Sequence, residues 1–293
     1  MKIQALGAPY GVHNHHSSNS NLKPNTFEWT LEQVPVHVAH DMSILALTDP
    51  NYKLQPGHTR FGWICESNTV VPDLINVLKE NHEAVFEQGE YTAIFTCDKD
   101  LCDLDDRFVF NWAGSNLPWT KPENHKIYDK TKLCSMIASP KGEDSNSSGG
   151  HVFRINWAKR LQESLDLFGG AMGTKRIGFS PNLDVEWHNK EEALNDYMFS
   201  VVIENGSYNS YYTEKITDAF ATGTIPIYYG CPDIGDIFNE DGIIYLTDDF
   251  KVEDLSEDLY HSKMEAIKDN FERVKDLQGS DDMVHENIKK IIS

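Results

Sequence analysis

Short apolar runs, separated by polar loops and amphipathic segments, dominate the first half of the chain. We predict strands at MKIQALG, MSILALTD, FGWICES, YTAIFTC and RFVFNW. Between FGWICES and YTAIFTC, Pro72 suits the first turn of a helix, and apolar residues follow at helical spacing, namely Leu74, Val77, Leu78 and Val85. Strands that alternate with helices are typical of a parallel sheet, so this half predicts β-α-β units.

Two polar stretches separate these elements from a second set. Residues 111–131 are rich in Pro, Asn and aromatic side chains, and residues 139–150 contain few apolar ones, so both predict loops. KLCSMIAS lies between them and predicts the strand that opens the second set. VFRINWAKRLQESLDLF carries apolar residues at helical spacing and predicts a helix closed by Gly169 and Gly170.

The later part of the second set alternates strand and helix at short spacing. MFSVVIEN predicts a buried strand, TEKITDAFATG a helix ended by Gly223, and TIPIYYG and GIIYL further strands. A right-handed parallel crossover is therefore expected, and helical patterns from residue 252 to the end complete this lobe. For a chain of 293 residues we predict two α/β lobes, 1–132 and 133–293, with one large domain as the alternative.

The charge balance narrows the class of partner. There are 26 Lys and Arg residues against 46 Asp and Glu, and the formal charge of -20 disfavours nucleic acid and anionic lipid surfaces. The five cysteines lack CxxC spacing, so neither a zinc site nor a disulfide framework is expected. No window approaches the roughly 18 apolar residues of a membrane span, and the N-terminus lacks a signal-peptide pattern. We therefore expect a soluble, cytoplasmic protein.

Polar groups concentrate where one predicted strand ends and the next helix begins, within residues 200–229. In open α/β sheets, ligands bind beyond the carboxyl ends of strands, where helix N-termini present N–H groups to anions. Thr213 suits the N-cap, and Lys215 near the positive end of the helix dipole is unfavourable unless an anion binds there. A diphosphate would remove that conflict; a solvated surface lysine is the alternative. The candidate donor-site residues are Glu204, Asn205, Tyr211, Thr213, Glu214 and Lys215.

The segment from Tyr197 to Leu246 resembles the donor-binding signature of the α1,3-fucosyltransferase family. It contains an apolar strand ending in Glu-Asn, a polar loop, Y-x-T-E-K, an amphipathic helix, G-T-x-P-[IV]-Y-x-G and Phe-Asn. The resemblance implies the GT-B fold, in which two Rossmann-like lobes with parallel sheets face each other across a cleft. It implies an acceptor-side N-terminal lobe and a C-terminal lobe that binds the nucleotide sugar. It also implies donor contacts from Tyr211, from Glu214 to ribose hydroxyls and from Lys215 to the phosphates.

A second phosphate-binding cation is expected beside this segment. Arg154 begins a predicted helix after a Gly-rich loop and resembles the family's phosphate-binding arginine, whose two-pronged guanidinium suits a diphosphate. Lys175 and Arg176 follow another Gly pair and are alternative candidates. For each of the three, a surface charge without a ligand is the alternative, and Arg154 is the residue that we assign to the donor site.

Glu66 directly follows a predicted strand of the first lobe, in FGWICESNTVVP. It resembles the glutamate that the family assigns as general base. A carboxylate at a strand end often caps a helix instead, yet the following Ser67 and Asn68 and the helix beyond agree with the family pattern. We interpret Glu66 as the catalytic base.

Acceptor-side residues are expected in two polar segments of the first lobe. GVHNHHSSNSN follows the first strand and contains His13 and His15. HxHH without cysteine or a suitably spaced carboxylate is a weak zinc pattern, so we predict an acceptor-binding or surface loop and no metal site. Trp112 and Trp119 lie in NWAGSNLPWT and are candidates for stacking on acceptor sugars, with burial in the core as the alternative.

Together these features predict an inverting, metal-independent glycosyltransferase. The expected reaction transfers fucose from GDP-fucose to a hydroxyl of an oligosaccharide or glycoconjugate, with no cofactor. A transferase that uses another nucleotide sugar on the same fold is one alternative, and a non-catalytic carbohydrate-binding or assembly protein is another. Animal members of the family carry a membrane anchor that this sequence lacks, so a bacterial or viral origin is expected.

Overall fold

The computed structural model describes residues 1–7, 23–143, 149–177 and 190–293. The first of its two sheets consists of β1 (Lys2–Leu6), β2 (Glu28–Thr30), β3 (Val36–His40), β4 (Thr59–Trp63), β5 (Tyr91–Thr96) and β6 (Phe108–Phe110). Neighbouring strands run parallel in the order β2-β1-β3-β4-β5-β6. The strands β3, β4 and β5 are almost wholly buried, as expected for central strands covered on both faces.

Three helices of the first lobe connect its strands: α1 (Ser43–Ala46), α2 (Pro72–Gly89) and α3 (Lys99–Cys102), all within the described ranges. The prediction for α2 is confirmed, including Pro72 in its first turn. The strand predicted at MSILALTD is wrong, because this run forms α1 and a turn. A short apolar run fits either a strand or a buried helical turn by periodicity alone. The strand at this place in the sheet is β3.

The second sheet follows residue 131 and is also parallel. It consists of β7 (Lys132–Ile137), β8 (Asp166–Phe168), β9 (Tyr197–Ile203), β10 (Ile225–Tyr229) and β11 (Ile244–Tyr245). The order is β11-β10-β9-β7-β8. Every residue of β9 is buried, which suits its central place. The predicted fold of two α/β lobes with parallel sheets, the GT-B type, is confirmed.

Five helices of the described residues accompany this second sheet: α4 (Gly150–Leu161), α5 (Glu191–Leu194), α6 (Glu214–Ala221), α7 (Glu257–Ser262) and α8 (Met264–Lys275). A further helix, α9 (Ser280–Ile292), follows them. The helix predicted to run to Phe168 ends at Leu161 instead, and Phe168 belongs to β8. Apolar spacing continued past the helix end because β8 also presents apolar side chains to the core, where Leu165 and Leu167 pack.

The last helix packs on the first sheet, although the sequence indicated that it completes the second lobe. Val284 and Ile288 of α9 lie in one cluster with Ile3, Phe61 and Trp63. After α8 the chain therefore returns to the first lobe, where α9 covers an apolar face of the first sheet. The predicted lobe boundary between residues 132 and 133 stays a prediction. The predicted division did not include the packing of α9 on the first sheet. Among the described residues, none of the helices is long and apolar enough to cross a membrane.

Candidate active site

The start of α6 is built around a buried carboxylate at the end of β9. Thr213 is the N-cap, with an extended backbone and a side-chain oxygen that accepts the N–H of Lys215, as predicted. The Thr213 backbone N–H donates to Glu204 Oε1 at 3.0 Å, and its hydroxyl donates to Glu204 Oε2 at 2.7 Å. Since Glu204 is fully buried, its carboxylate holds the helix start in place and does not face a ligand directly.

Close packing at Gly230 makes room for Glu204. A Cβ at this position would lie 2.6 Å from Glu204 Cγ and 2.4 Å from the Tyr228 hydroxyl. Both distances are far below van der Waals contact, so a larger residue would displace the carboxylate. Gly230, the last residue of the sequence pattern G-T-x-P-[IV]-Y-x-G, therefore has a steric role at the site.

Lys215 is the accessible cation of this helix start. Its side chain is 24% exposed, and its Nζ lies 3.3 Å from Glu214 Oε1 and 3.6 Å from Glu204 Oε2. The ammonium also donates to the Thr213 hydroxyl at 3.0 Å. These contacts hold the charge beside the N-terminus of α6, where an anion would be stabilised by both the lysine and the helix dipole.

Glu214 is pinned by a second lysine that the sequence analysis did not single out. Lys190 Nζ lies 3.1 Å from Glu214 Oε1 and 2.6 Å from Asp218 Oδ2, and all three side chains are nearly buried. Burial pushes the pKa of Glu214 upward, but Lys190 and Lys215 outweigh it and lower the pKa to about 2. Glu214 is therefore an ionised acceptor at all physiological pH values.

Asp218 connects this network to the segment between the lobes. Its Oδ1 accepts the backbone N–H groups of Trp119 at 2.7 Å and Thr120 at 2.8 Å. Lys190 Nζ lies 4.8 Å from the centre of the Trp119 ring. The interlobe segment is thus fastened to the helix that carries Glu214 and Lys215.

Arg154 occupies a buried position at the start of α4. Its Nε and Nη2 donate to the carbonyl oxygen of Ile203 at 3.0 and 2.6 Å, and Nη2 also donates to Asn205 Oδ1 at 2.7 Å. Its Nη1 lies 3.5 Å from His151 Nδ1. The guanidinium therefore fixes the carboxyl end of β9 and the side chain of Asn205, and its contact with a phosphate stays a prediction.

Several cations converge near the start of α4. Burial, together with repulsion from Arg154, Lys141 and Lys215, lowers the pKa of His151 to about 4, so the imidazole is neutral at physiological pH and lies among three cations. A Cβ at Gly150 would lie 2.3 Å from the carbonyl oxygen of Asn205, so only glycine allows this approach of α4 to the end of β9. The arrangement concentrates positive charge in a protein whose overall charge is -20.

The two lobes touch beside these cations. The Thr69 hydroxyl, just beyond Glu66, donates to the carbonyl oxygen of Asn205. Tyr208 and Tyr211 stack at 4.8 Å between ring centres, and both pack with Cys97 from the end of β5. Tyr211 is 1% exposed, so in this arrangement its ring lies within the contact between the lobes.

Glu66 lies at the carboxyl end of β4, as the sequence predicts. Its side chain is solvent-exposed but stands in the cleft between the lobes, and the surrounding protein raises its pKa by desolvation. Lys215 opposes that rise, and Glu214 adds to it. Side chains of α6 in the second lobe thus act electrostatically on the Glu66 carboxyl across the cleft.

Asp41 is a buried carboxylate beneath Glu66 that the sequence analysis missed. Its Oδ1 accepts the backbone N–H of Cys65 at 2.9 Å and of Glu66 at 3.0 Å. Its backbone has φ of 47°, in the left-handed region that non-glycine residues rarely adopt. Burial, reinforced by the Glu66 charge, raises the pKa of Asp41 to about 7. The position of Asp41 at a strand end could not be predicted, because the polar residues His37 and His40 interrupt the apolar pattern of β3.

The remaining predicted residues lie in three kinds of place. His13 and His15 lie outside the described residues. Trp112 packs edge-on against Tyr212 at 5.1 Å between ring centres, and its carbonyl accepts the indole N–H of Trp63, so it is held within the core around the cleft. Lys175 and Arg176 are exposed, and Lys175 pairs with Glu192. Within residues 1–7, 23–143, 149–177 and 190–293, no group of three potential metal-binding side chains converges.

Comparisons with known proteins identify the family of this chain. A family model described as the C-terminal part of glycosyltransferase family 10 (fucosyltransferase) matches residues 127–273. An α-(1,3)-fucosyltransferase of Helicobacter pylori is 42% identical over 60 residues, a stretch that spans 20% of this chain and 13% of that enzyme.

Solved structures with a similar fold include an α1,3-fucosyltransferase crystallised with GDP. It has a TM-score of 0.49 and 16% identity, covering 92% of this chain and 81% of that one. TarM has a TM-score of 0.47 and 12% identity, covering 88% of this chain and 54% of that one.

Proposed function

The chain belongs to glycosyltransferase family 10, and we propose that it transfers fucose from GDP-fucose to a hydroxyl group of a glycan acceptor, with inversion at the anomeric carbon. The observation that carries this proposal is the electrostatic interaction of Glu66 with Lys215 of α6 across one cleft. An exposed carboxyl with a raised pKa faces a lysine at a helix N-terminus. Such a pair suits a proton acceptor on one side and a diphosphate leaving group on the other.

In the proposed reaction, Glu66 takes the proton of the acceptor hydroxyl as that oxygen attacks the anomeric carbon. The bond from the anomeric carbon to the phosphate oxygen breaks on the opposite face, and its electron pair leaves with GDP. Lys215 and the N–H groups at the start of α6 stabilise the negative charge that develops on the diphosphate. Glu214, ionised because of Lys190 and Lys215, accepts hydrogen bonds from the ribose hydroxyls.

We further propose that these protein cations supply the charge stabilisation without a catalytic metal. Support comes from the convergence of Lys141, Arg154 and Lys215 around His151 near the start of α4. Transfer should therefore proceed at an unchanged rate in excess EDTA. A rate that falls with EDTA and returns with Mg²⁺ or Mn²⁺ would contradict this part of the proposal.

The donor is tested by nucleotide-dependent stabilisation. GDP should raise the melting temperature more than UDP at equal concentration, because a ligand that binds only the folded state adds RT ln(1 + [L]/Kd) to stability, about 2.7 kcal/mol at 100 times Kd. A larger shift with UDP would favour a transferase for another nucleotide sugar.

The sequence-based expectation of a cytoplasmic protein stays a prediction.

The reaction is tested by transfer of labelled fucose from GDP-fucose to a glycan array. A labelled product whose anomeric configuration is opposite to that of the donor, established by NMR, is the expected result. A retained configuration would exclude inversion. Glycan binding without transfer or donor hydrolysis would favour a non-catalytic carbohydrate-binding protein.

A further inference from the structure

The backbone that presents Glu66 is held by a side chain from a neighbouring strand. After β4 ends at Trp63, the N–H groups of Cys65 and Glu66 both point to a single oxygen of Asp41, at 2.9 and 3.0 Å. Strand pairing continues to this point, because the Asp41 N–H donates to the carbonyl oxygen of Trp63 at 3.1 Å. Asp41 thus replaces the sheet hydrogen bonds that β4 loses where it leaves the sheet.

The backbone conformation of Asp41 and the burial of its carboxylate both cost free energy. A non-glycine residue at φ of 47° is strained, and such strain clusters at functional sites. The carboxylate is also 8% exposed, and its desolvation is unfavourable for the charged form. Two hydrogen bonds to the backbone beneath Glu66 offset part of both costs.

We propose that Asp41 is a positioning residue for Glu66: its carboxylate fixes the Cys65 and Glu66 peptide units and so sets the direction in which the Glu66 side chain enters the cleft. This inference rests on the proposed role of Glu66 as general base. Asp41 itself is buried behind the turn and does not touch substrate. Its effect on the reaction is therefore indirect, through the position and protonation of Glu66.

The charges around the pair give Asp41 a second effect on Glu66. Asp41 is faced by Glu66, and the buried Cys65 between them is also faced by Asp281 from α9. Across the cleft, Glu66 is faced by Lys215 and Glu214 from α6 and by Lys141. A negative charge on Asp41 disfavours a second negative charge on Glu66, as in any pair of neighbouring carboxyl groups.

Two substitutions separate the hydrogen bonds from the charge. Asn and Gly both tolerate a positive φ, so neither adds backbone strain. Asp41→Asn keeps the Oδ1 acceptor and removes the charge, whereas Asp41→Gly removes both. We expect Asp41→Gly to speed hydrogen exchange at the Cys65 and Glu66 amides by roughly tenfold or more and Asp41→Asn to leave it within about threefold, since only Asp41→Gly removes the acceptor of both hydrogen bonds.

Kinetics should divide the same way. Asp41→Gly should lower kcat roughly 100-fold with the KM for GDP-fucose within twofold, because a small misplacement of a catalytic group costs that much. Asp41→Asn should keep most of kcat and lose the change near pH 7 that ionisation of Asp41 causes in the wild-type pH profile.

The exchange experiment needs no activity, so the inference and the proposed function fail separately. Unchanged exchange at both amides in Asp41→Gly would overturn the positioning role whatever the enzyme does. Equal losses of GDP affinity and kcat in that variant would overturn it too, because they would indicate general damage to the fold. Absence of transfer by the wild-type protein would instead contradict the function proposed for Glu66.

Discussion

The cleft has two edges, which hold their carboxylates in different ways. The first edge is the end of β4 with Asp41 and Glu66, and the second edge is the start of α6 with Glu214 and Lys215. Asp41 follows β3 and accepts hydrogen bonds from backbone N–H groups just beyond β4, and burial raises its pKa to about 7. At the start of α6, Glu214 is held by Lys190 and Lys215, and its pKa falls to about 2. Both groups are buried, and burial alone raises the pKa of a carboxyl group, so the two lysines beside Glu214 account for the opposite direction of its shift.

This difference assigns a different kind of chemistry to each edge. A carboxyl group that is desolvated without a close counter-ion has a raised pKa, which favours exchange of a proton during a reaction. A carboxylate between two lysines keeps its charge and can only accept hydrogen bonds. The first lobe is therefore suited to proton transfer, and the second lobe is suited to holding a charged donor in a fixed position.

The largest effect is expected for Glu66→Gln, which removes proton transfer from the first edge. Turnover should fall by ~10²- to 10⁴-fold, the usual contribution of a general base. GDP should bind with an affinity within about twofold of wild type, because the proposed donor contacts lie on the second lobe. Steady-state transfer kinetics and calorimetric titration with GDP measure the two quantities.

Glu80→Gln is the matched control, since Glu80 is an exposed glutamate of α2 in the same lobe. It should keep the wild-type rate. Full turnover by Glu66→Gln would show that the first edge does not supply the catalytic base. The proposed contrast between the two edges would then be wrong.

Lys190→Met should produce the next largest effect, on stability. Removing one partner of a buried ion network leaves Glu214 and Asp218 without their shared cation, at a cost of about 3–5 kcal/mol. The pKa of Glu214 near 2 lies below its ordinary value of 4.5, so its stabilisation is complete above about pH 4.5 and is lost as the pH falls toward 2. The stability gap between wild type and variant should narrow across that window.

Chemical denaturation at several pH values measures this gap. Lys175→Met is the control, because Lys175 forms an exposed pair with Glu192, and such pairs contribute little. A gap that is the same at pH 3 and pH 7 would show that Lys190 does not act through Glu214 and Asp218.

The second edge could be predicted from the sequence because its parts are contiguous. Glu204, Thr213 and Lys215 lie within twelve residues, at one strand end and the following helix start. The N-cap, the helix and the strand before it follow from local rules of spacing and capping. The structure confirms that N-cap, and it adds that Glu204 is buried under Thr213.

The first edge could be predicted only in part because its contacts are not local. Asp41 and Glu66 are 25 residues apart and meet only because β3 pairs with β4. Lys190 lies 28 residues before Asp218, so its role also depends on tertiary structure. The packing of α9 on the first sheet has the same cause, because an apolar helix face does not specify which sheet it covers.

Lys215→Ala should weaken GDP binding by roughly 10- to 100-fold, the usual range for a charge-assisted hydrogen bond. The variant should lose kcat as well, since the same charge is proposed to stabilise the leaving group. Calorimetry with GDP at two salt concentrations measures the loss. Lys268→Ala, an exposed lysine of α8, is the control. Unchanged GDP affinity in Lys215→Ala would contradict the assignment of the second edge to the diphosphate.

The smallest effect is expected for Arg154→Lys, which tests how the second edge is supported. Lysine keeps the charge but cannot reproduce the fork that joins the Ile203 carbonyl to Asn205, so GDP affinity should fall roughly threefold to tenfold. Lys175→Met should change it by less than about twofold, because that charge lies in an exposed pair. A larger loss in Lys175→Met would assign the second phosphate cation to Lys175. A loss in Arg154→Lys that exceeds that of Lys215→Ala would mean that Arg154 binds the diphosphate directly, and the positive charge of the second edge would then come from two helix starts.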